Sequence, residues 1–130
     1  MIVVDASSLL DLLLRTGACT EIECSVLRPG LGLHAPHLVD LEVAQVLRRH
    51  ALRGDLSATR ASEALRDLAD LPLTRYPHEP FLARIWALRA NLTAYAAAYV
   101  ALAEVLAAPL LTRDARLAQA GGHRAVVQVL

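Results

Sequence analysis

Two short apolar segments that each lead to an aspartate are the residues best suited to chemistry in this chain. Residues 2–4 are Ile-Val-Val and are followed by Asp5, and Leu110-Leu111 is followed by Thr112 and then by Asp114. In a parallel α/β sheet, ligands and metal ions bind at the carboxyl ends of the strands. We therefore predict that Asp5 and Asp114 lie at the same edge of a sheet and belong to one site.

A third acid occupies an unusual place in a predicted helix, His37–Arg53. Leu38 lies four residues before Glu42 and Val46 four residues after it, so Glu42 is predicted on the face that points inward. An ionised carboxylate is costly there unless it is paired or bound to a metal. Two interpretations remain open, a salt bridge from Glu42 to Arg49 or a metal site shared with the strand-end aspartates.

Clustered carboxylates repel one another, and a hard divalent cation with oxygen ligands, Mg²⁺ or Mn²⁺, resolves that repulsion. Such an ion can bridge the protein to a phosphodiester and activate water. A receiver-type phosphoacceptor domain normally needs a lysine late in the chain, and this chain contains none. A haloacid-dehalogenase-type phosphatase needs Asp-x-Asp after its first strand, which is absent here. Nucleotide binding through a glycine loop is also excluded, because neither a GxGxxG nor a Walker motif is present. The five histidines lack the spacing of zinc ligands.

Two further acids receive structural interpretations. Ser8 is predicted to open a helix in which Asp11 takes the second place of a capping box, with an ion pair to Arg15 as an additional role. Asp40 falls in the first turn of the helix His37–Arg53, where the helix dipole stabilises a carboxylate. For Asp11 we favour this capping role, with metal binding as the alternative, and we interpret Asp40 as structural.

Some arginines and tyrosines could contact a nucleic acid. Arg48, Arg49 and Arg53 are close together on one predicted helix and could face a phosphate backbone, although a solvated face is an equal alternative. Tyr95 and Tyr99 are four residues apart, and we interpret them as packing residues rather than base-stacking residues.

The order of apolar runs and helix breakers predicts strands alternating with helices, and therefore an α/β fold with a mainly parallel sheet. The predicted strands are residues 2–4, Leu31–Ala35, Leu73–Tyr76, Leu110–Leu111 and Ala125–Leu130. The predicted helices are Ser8–Leu14, Cys19–Leu27, His37–Arg53 (opened by Pro36), Ala58–Leu71 (capped by Ser57), Phe81–Ala90, Ala94–Leu106 (capped by Thr93) and Asp114–Ala120.

Length and composition indicate a single domain over residues 1–130, since the chain is 55% hydrophobic and 20% charged. The formal net charge is zero and all 13 basic residues are arginine, so any contact with nucleic acid is expected to be local or bridged by metal. Cys19 and Cys24 are interpreted as free thiols. We expect a cytoplasmic protein that does not act at a membrane, because no apolar run approaches the ~20 residues of a membrane span and Asp5 comes too early for a signal peptide.

Four motifs, taken in order, resemble a PIN domain, and more narrowly the VapC ribonuclease toxins of bacterial type II toxin–antitoxin systems. The resemblance covers the whole chain. The motifs are Ile2-Val3-Val4-Asp5-Ala6-Ser7, Pro36-x-Leu38 with Glu42 in the following helix, the segment 94–103, and Leu110-Leu111-Thr112-x-Asp114-x-x-Leu117.

This resemblance implies a three-layer sandwich whose parallel sheet has the strand order 3-2-1-4-5, and a metal-dependent endoribonuclease activity. By resemblance, Asp5, Glu42 and Asp114 are ligands of Mg²⁺ or Mn²⁺, and Ser7 and Thr112 support them. The family also implies an RNA substrate, a VapB-type antitoxin that covers the groove, and a homodimer.

One departure from the family concerns its third acid. Where the family has Tyr-Asp-Ala-x-Tyr, this chain has Tyr95 followed by Ala96, so an alanine stands at the position of the expected aspartate. It is either an engineered inactivating change or a natural degenerate copy. We predict that this chain cleaves RNA poorly or not at all and that its Ala96→Asp variant cleaves; the alternative is a module that binds a partner protein or RNA without cleavage.

Overall fold

Five short parallel strands form the central sheet of this protein, whose computed structural model describes residues 1–15, 28 and 30–130. The strand order is β3-β2-β1-β4-β5, and every neighbouring pair is parallel. The predicted fold class and strand order are therefore confirmed. The strands are β1 (Ile2–Val4), β2 (Leu33–Pro36), β3 (Leu73–Tyr76), β4 (Leu110–Thr112) and β5 (Val127–Val129).

Helices flank the sheet, and their bounds stay close to the predicted ones. They are α1 (Ala6–Leu14), α2 (Leu38–Arg53), α3 (Ala58–Asp70), α4 (Leu82–Ala87), preceded by a 3-10 turn at Glu79–Phe81, α5 (Ala94–Leu106) and α6 (Ala115–Gln119). The predicted helix Cys19–Leu27 and both cysteines lie outside the described residues. None of the helices in the described ranges combines the length and the apolar character needed to cross a bilayer.

The central position of β1 brings the two strand-end aspartates together. Val4 lies opposite Leu111 in the pairing of β1 with β4, and the Asp5 N–H donates to the carbonyl of Leu111 at 3.3 Å. Asp5 therefore leaves the sheet next to Thr112, the last residue of β4. The predicted common edge for Asp5 and Asp114 follows from this register.

The predicted start of α1 and the predicted role of Pro36 were wrong. Helix α1 begins at Ala6, with Asp5 and not Ser8 as its N-cap, because the Asp5 carboxylate accepts from the Ser8 N–H at 3.0 Å. Pro36 ends β2 and does not open α2, whose N-cap residue is His37. Pro36 has no N–H to donate, and the bond to β3 at this end of β2 comes from the N–H of His37, which donates to the carbonyl of Tyr76 at 2.7 Å.

The predicted caps of the other two long helices are confirmed. The hydroxyl of Ser57 accepts from the N–H of Arg60 at 3.1 Å at the start of α3. The hydroxyl of Thr93 accepts from the N–H of Ala96 at 3.2 Å at the start of α5. Residues 97–103 of α5 are all buried, so this alanine-rich helix packs deep in the fold and carries Tyr99 inward.

The inward face of α2 is one row away from the predicted one. The buried residues of this helix are Val39, Val43 and Leu47, which are spaced four apart. The predicted row of Leu38, Glu42 and Val46 is only half-buried. Since the buried row already packs against the core, the half-buried row beside it is left to form the wall of a cavity.

Candidate functional site

A cavity of about 730 Å³ opens at the carboxyl edge of the sheet, and the predicted site residues meet there. Its lining includes Asp5, Ser7, Glu42, Ala96 and Asp114. Thr112 is fully buried beneath it. Strand β1, helix α2, helix α5 and the turn after β4 each contribute one of the four acid positions, so the fold assembles them from parts of the chain that are far apart in sequence.

Four hydrogen-bond donors fix the carboxylate of Asp5. Its Oδ1 atom accepts from the Ser7 hydroxyl at 2.7 Å, from the Ser8 N–H at 3.0 Å and from the Ser8 hydroxyl at 3.2 Å. Its Oδ2 atom accepts from the Thr112 hydroxyl. Asp5 is only 8% exposed, so its orientation toward the cavity is set by buried contacts. Because each carboxylate oxygen can accept more than one bond, Oδ2 keeps capacity for another partner.

Ser7 and Thr112 each connect Asp5 to the turn that carries Asp114. The Thr112 hydroxyl, which donates to Asp5, accepts from the N–H of Asp114 at 3.0 Å. The Ser7 hydroxyl, which also donates to Asp5, accepts from the N–H of Arg113 at 3.0 Å. These two hydroxyls hold the end of β1 and the turn after β4 in a fixed relation.

Glu42 points into the cavity and is held by Tyr99. The hydroxyl of Tyr99 donates to Oε1 of Glu42 at 2.6 Å. Burial raises the pKa of Glu42, the bond from Tyr99 lowers it, and the negative charge of Asp5 raises it further. Glu42 and Asp5 therefore lie close enough for their charges to interact.

The predicted alternative for Glu42, a salt bridge to Arg49, does not form. Both residues are described and both line the cavity, but the partner of the Glu42 carboxylate is Tyr99. Two turns of helix separate Glu42 from Arg49, and the cavity lies in front of both side chains.

Tyr99 is a site residue that sequence reasoning assigned to packing alone. It is 3% exposed, which agrees with packing, whereas Tyr95 is 68% exposed and also lines the cavity. Burial and the bond to Glu42 raise the pKa of Tyr99 strongly, so its hydroxyl stays protonated and acts as a donor. Only a general rule could have pointed to Tyr99 from the sequence, namely that the hydroxyl of a buried tyrosine usually forms a hydrogen bond.

Asp114 also lines the cavity, and its carboxylate is bound by an arginine. It caps the short helix α6 by accepting from the N–H of Arg116 at 3.0 Å. The Arg116 guanidinium then donates to both carboxylate oxygens at 2.9 Å, and these bonds lower the pKa of Asp114. Sequence reasoning missed this pairing.

The Ala96 side chain lines the same cavity and offers only a methyl group. The residue is half-buried, and its N–H is satisfied by Thr93. An aspartate at this position would face the same cavity as Asp5, Glu42 and Asp114.

The donor set is that of a hard cation, because three carboxylates line the cavity and its described lining contains no histidine or cysteine. Over residues 1–15, 28 and 30–130, however, no three His, Cys, Asp or Glu side chains lie close enough to hold one metal ion together. The three acids share a cavity, but Asp114 faces Arg116.

The two acids interpreted as structural differ in outcome. Asp40 forms a bidentate ion pair with Arg75 of β3, at 2.7 and 2.9 Å, which agrees with its structural role. Asp11 does not belong to a capping box, because α1 starts two residues earlier than predicted. Asp11 is buried instead and accepts from the Arg113 guanidinium at 2.9 Å.

Comparison with known proteins agrees with this architecture. The PIN domain family matches residues 2–122, and the chain therefore belongs to the PIN domain family. It is 45% identical over 130 residues to VapC ribonuclease Mb0985 of Mycobacterium bovis, a match that covers the whole chain and 98% of that protein. It is 46% identical over 121 residues to ribonuclease VapC1 of Mycobacterium tuberculosis, with 92% of this chain and 90% of that protein covered. These relatives place it with the VapC ribonucleases.

Solved structures share the fold. PAE2754 of Pyrobaculum aerophilum superposes with a TM-score of 0.69 and 26% identity, covering 97% of this chain and 82% of that one. VapC20 of Mycobacterium tuberculosis, a toxin that cleaves the sarcin-ricin loop, gives a TM-score of 0.73 at 13% identity, covering 97% and 98%. VapBC2 of Rickettsia felis, bound to a promoter DNA fragment, gives 0.71 at 9% identity, covering 99% and 98%.

Proposed function

We propose that this protein is the toxin of a toxin–antitoxin pair, an endoribonuclease that hydrolyses RNA phosphodiesters with Mg²⁺ or Mn²⁺, and that Ala96 impairs the present chain. The observation that carries the proposal is the convergence of Asp5, Glu42, Asp114 and position 96 on one cavity. The VapC ribonucleases that match the full chain support the ribonuclease activity.

Asp5 and Glu42 are the residues that would hold the cation, and Asp114 would join them once its carboxylate leaves Arg116. The oxygen-only donor set suits Mg²⁺ or Mn²⁺. Such an ion, when bound, supplies a nucleophile from water near neutral pH and offsets negative charge on the phosphodiester.

The protein's own side chains contribute orientation. Ser7, Ser8 and Thr112 fix Asp5 from three directions, and Tyr99 fixes Glu42. Carboxylates held in this way need little reorganisation when a ligand arrives, which is how a rigid site gains rate. Ala96 interrupts this arrangement, because it removes one negative charge and one oxygen ligand from the cavity wall.

The proposed partners follow from the same cavity and from the relatives. The cavity wall is apolar at Leu10, Leu38, Leu41 and Val46, which suits an apolar segment of a VapB-type antitoxin lying across the site. The similar fold of a VapB–VapC complex supports that partner. We also propose RNA as the substrate and a homodimer as the assembly.

The decisive experiment restores the acid. Ala96→Asp, Ala96→Asn and the parent chain are incubated with structured and single-stranded RNAs in Mn²⁺, and products are resolved on gels. We expect cleavage only by Ala96→Asp, because asparagine matches its shape without its charge. Glu42→Ala, added to Ala96→Asp, should abolish that cleavage. An Ala96→Asp protein that leaves every RNA intact would overturn the nuclease proposal.

A second candidate function is a module that binds a partner protein or RNA without cutting it. Ala96 and the pairing of Asp114 with Arg116 both favour it, because they leave fewer acids available to a cation. Calorimetric titration of Mn²⁺ into this chain and into its Glu42→Ala variant separates the two. A nuclease site should show metal affinity that depends on Glu42, and a binding module should show none.

A further inference from the structure

Arg49 is a cation that lines the cavity without a carboxylate partner. Among the described residues two arginines line it, Arg49 from α2 and Arg116 from α6. The Arg116 guanidinium donates to both carboxylate oxygens of Asp114. Arg49 forms no ion pair or hydrogen bond with any described residue, and it is exposed. Its charge is therefore available to a ligand.

The negative charge of the cavity would oppose the binding of a nucleic acid unless a cation offset it. Asp5, Glu42 and Asp114 place three carboxylates on its walls, and a nucleic-acid strand brings further negative charge. A strand that entered beside these acids would be repelled unless cations stood near its phosphates. The planar guanidinium of arginine donates two parallel hydrogen bonds to phosphate oxygens, which suits it to this task.

The position of Arg49 on α2 indicates which phosphate it would meet. It follows Glu42 by seven residues, which is two turns and about 10 Å along the helix axis. Both side chains line the cavity, so Arg49 reaches it about two helical turns from the Glu42 carboxylate. A phosphate bound by Arg49 would therefore flank the phosphodiester that lies at the acids.

The structure also separates Arg49 from its neighbours in sequence. Arg48 and Arg53 are exposed on α2 but do not line the cavity. Of the three arginines that the sequence could place toward a phosphate backbone, only Arg49 faces the site.

We propose that Arg49 binds a backbone phosphate of a single-stranded RNA segment and so positions the strand across the acids. This proposal rests on the proposed ribonuclease function, whose substrate contact it specifies. Because the contact is with the backbone, it contributes affinity and register without selecting a base.

The test compares two matched variants, Arg49→Gln and Arg48→Gln, which remove the same charge from adjacent positions on one helix. Binding of a short fluorescent single-stranded RNA to the present chain is measured by anisotropy in EDTA, over a series of salt concentrations. We expect Arg49→Gln to weaken binding ~10-fold, as for loss of a charge-assisted hydrogen bond. It should also reduce the slope of log K against log salt by ~0.7, the value for one phosphate contact on a single strand. Arg48→Gln should leave both quantities near those of the parent chain.

Arg49→Lys adds a second readout, since it retains the charge and loses the fork. Compared with Arg49→Gln, the Arg49→Lys variant should return the salt slope to that of the parent chain but recover only part of the RNA affinity. Equal effects of Arg49→Gln and Arg48→Gln would overturn the proposal, because they would indicate only a general loss of positive charge. An unchanged affinity in Arg49→Gln would also overturn it, and would leave a protein partner as the ligand of this arginine.

Failure of this proposal can be told apart from failure of the nuclease proposal. The anisotropy measurement needs neither metal nor cleavage, so a selective effect of Arg49→Gln would stand even if Ala96→Asp cut no RNA. Conversely, if Ala96→Asp cleaves, adding Arg49→Gln should raise KM and leave kcat nearly unchanged. A fall in kcat with KM unchanged would refute the assigned role of Arg49 and leave the nuclease intact.

Discussion

Replacing Asp5 by alanine should destabilise the folded protein even when no metal is present, because this carboxylate also has two structural tasks. It caps α1 by accepting from the N–H of Ser8 at 3.0 Å, and it accepts from the hydroxyl of Thr112, which is fully buried. Alanine can perform neither task. The same substitution that removes a proposed metal ligand therefore also removes part of the framework of the fold.

The expected magnitude follows from these two contacts. Loss of an aspartate N-cap costs about 1 kcal/mol. Leaving the buried Thr112 hydroxyl without its acceptor costs about 1–3 kcal/mol. Asp5→Ala should therefore lower the free energy of unfolding by about 2–4 kcal/mol, a large part of the 5–15 kcal/mol typical of a domain.

Asp5→Asn is the matched control. Its amide oxygen can occupy the place of Oδ1 and keep the bonds from Ser7 and Ser8, including the helix cap. Its amide nitrogen takes the place of Oδ2 and cannot accept, so the Thr112 hydroxyl loses its acceptor in both variants. Both variants also remove the negative charge that acts on Glu42, so relief of that repulsion affects them equally. The difference between them isolates the bonds to Oδ1.

Urea unfolding followed by circular dichroism in EDTA measures the difference. With a slope of about 2 kcal/mol per molar urea, a loss of 3 kcal/mol moves the midpoint down by about 1.5 M. Asp5→Asn keeps the cap, worth about 1 kcal/mol, so its midpoint should lie about 0.5 M above that of Asp5→Ala and below that of the parent. Midpoints for Asp5→Ala and Asp5→Asn that agree within experimental error would refute the assignment of a capping role to this carboxylate.

Two further predictions concern contacts with buried side chains. Tyr99→Phe should weaken Mn²⁺ binding ~5-fold in calorimetry, the equivalent of one lost hydrogen bond of about 1 kcal/mol, because Glu42 loses its donor; an unchanged affinity would show that Tyr99 only packs. The Arg84 guanidinium, together with the N–H of Arg124, lowers the pKa of Glu104 to about 2. The ionised carboxylate therefore stabilises the fold fully above its unfolded pKa of 4.5, and this stabilisation is lost as the pH falls toward 2. Glu104→Gln should flatten the fall in unfolding free energy between pH 4.5 and 2, and a variant that retains the parent's acid slope would contradict the assignment.

The strand-end aspartates could be found from sequence because their signal is local. An apolar run that ends on an acid identifies both the strand and the residue at its carboxyl end, and the parallel register of β1 with β4 then brings Asp5 and Asp114 to one edge. The caps at Ser57 and Thr93 were predictable for the same reason, since each bond spans three residues.

The sequence did not predict features that depend on distant contacts or on small shifts within a helix. Glu42 is held by Tyr99, 57 residues away, and only the packed fold reveals that pairing. The inward row of α2 was misplaced because neighbouring rows of a helix differ by one residue, and apolar side chains at Leu38 and Val46 resemble core residues while they form a cavity wall. The role of Asp11 was wrong because the start of α1 was set two residues too late.

The cap at Thr93 affects which residues position 96 can accept without loss of stability. The Thr93 hydroxyl already satisfies the N–H of residue 96, and alanine has the highest helix propensity, so an acid can be lost at this position with only the small cost of a first-turn carboxylate, about 0.3–1 kcal/mol. Asp5 has no such freedom, since its loss would also lower the free energy of unfolding and expose the chain to proteolysis. Loss of an acid that leaves the chain foldable is therefore expected sooner at position 96 than at position 5.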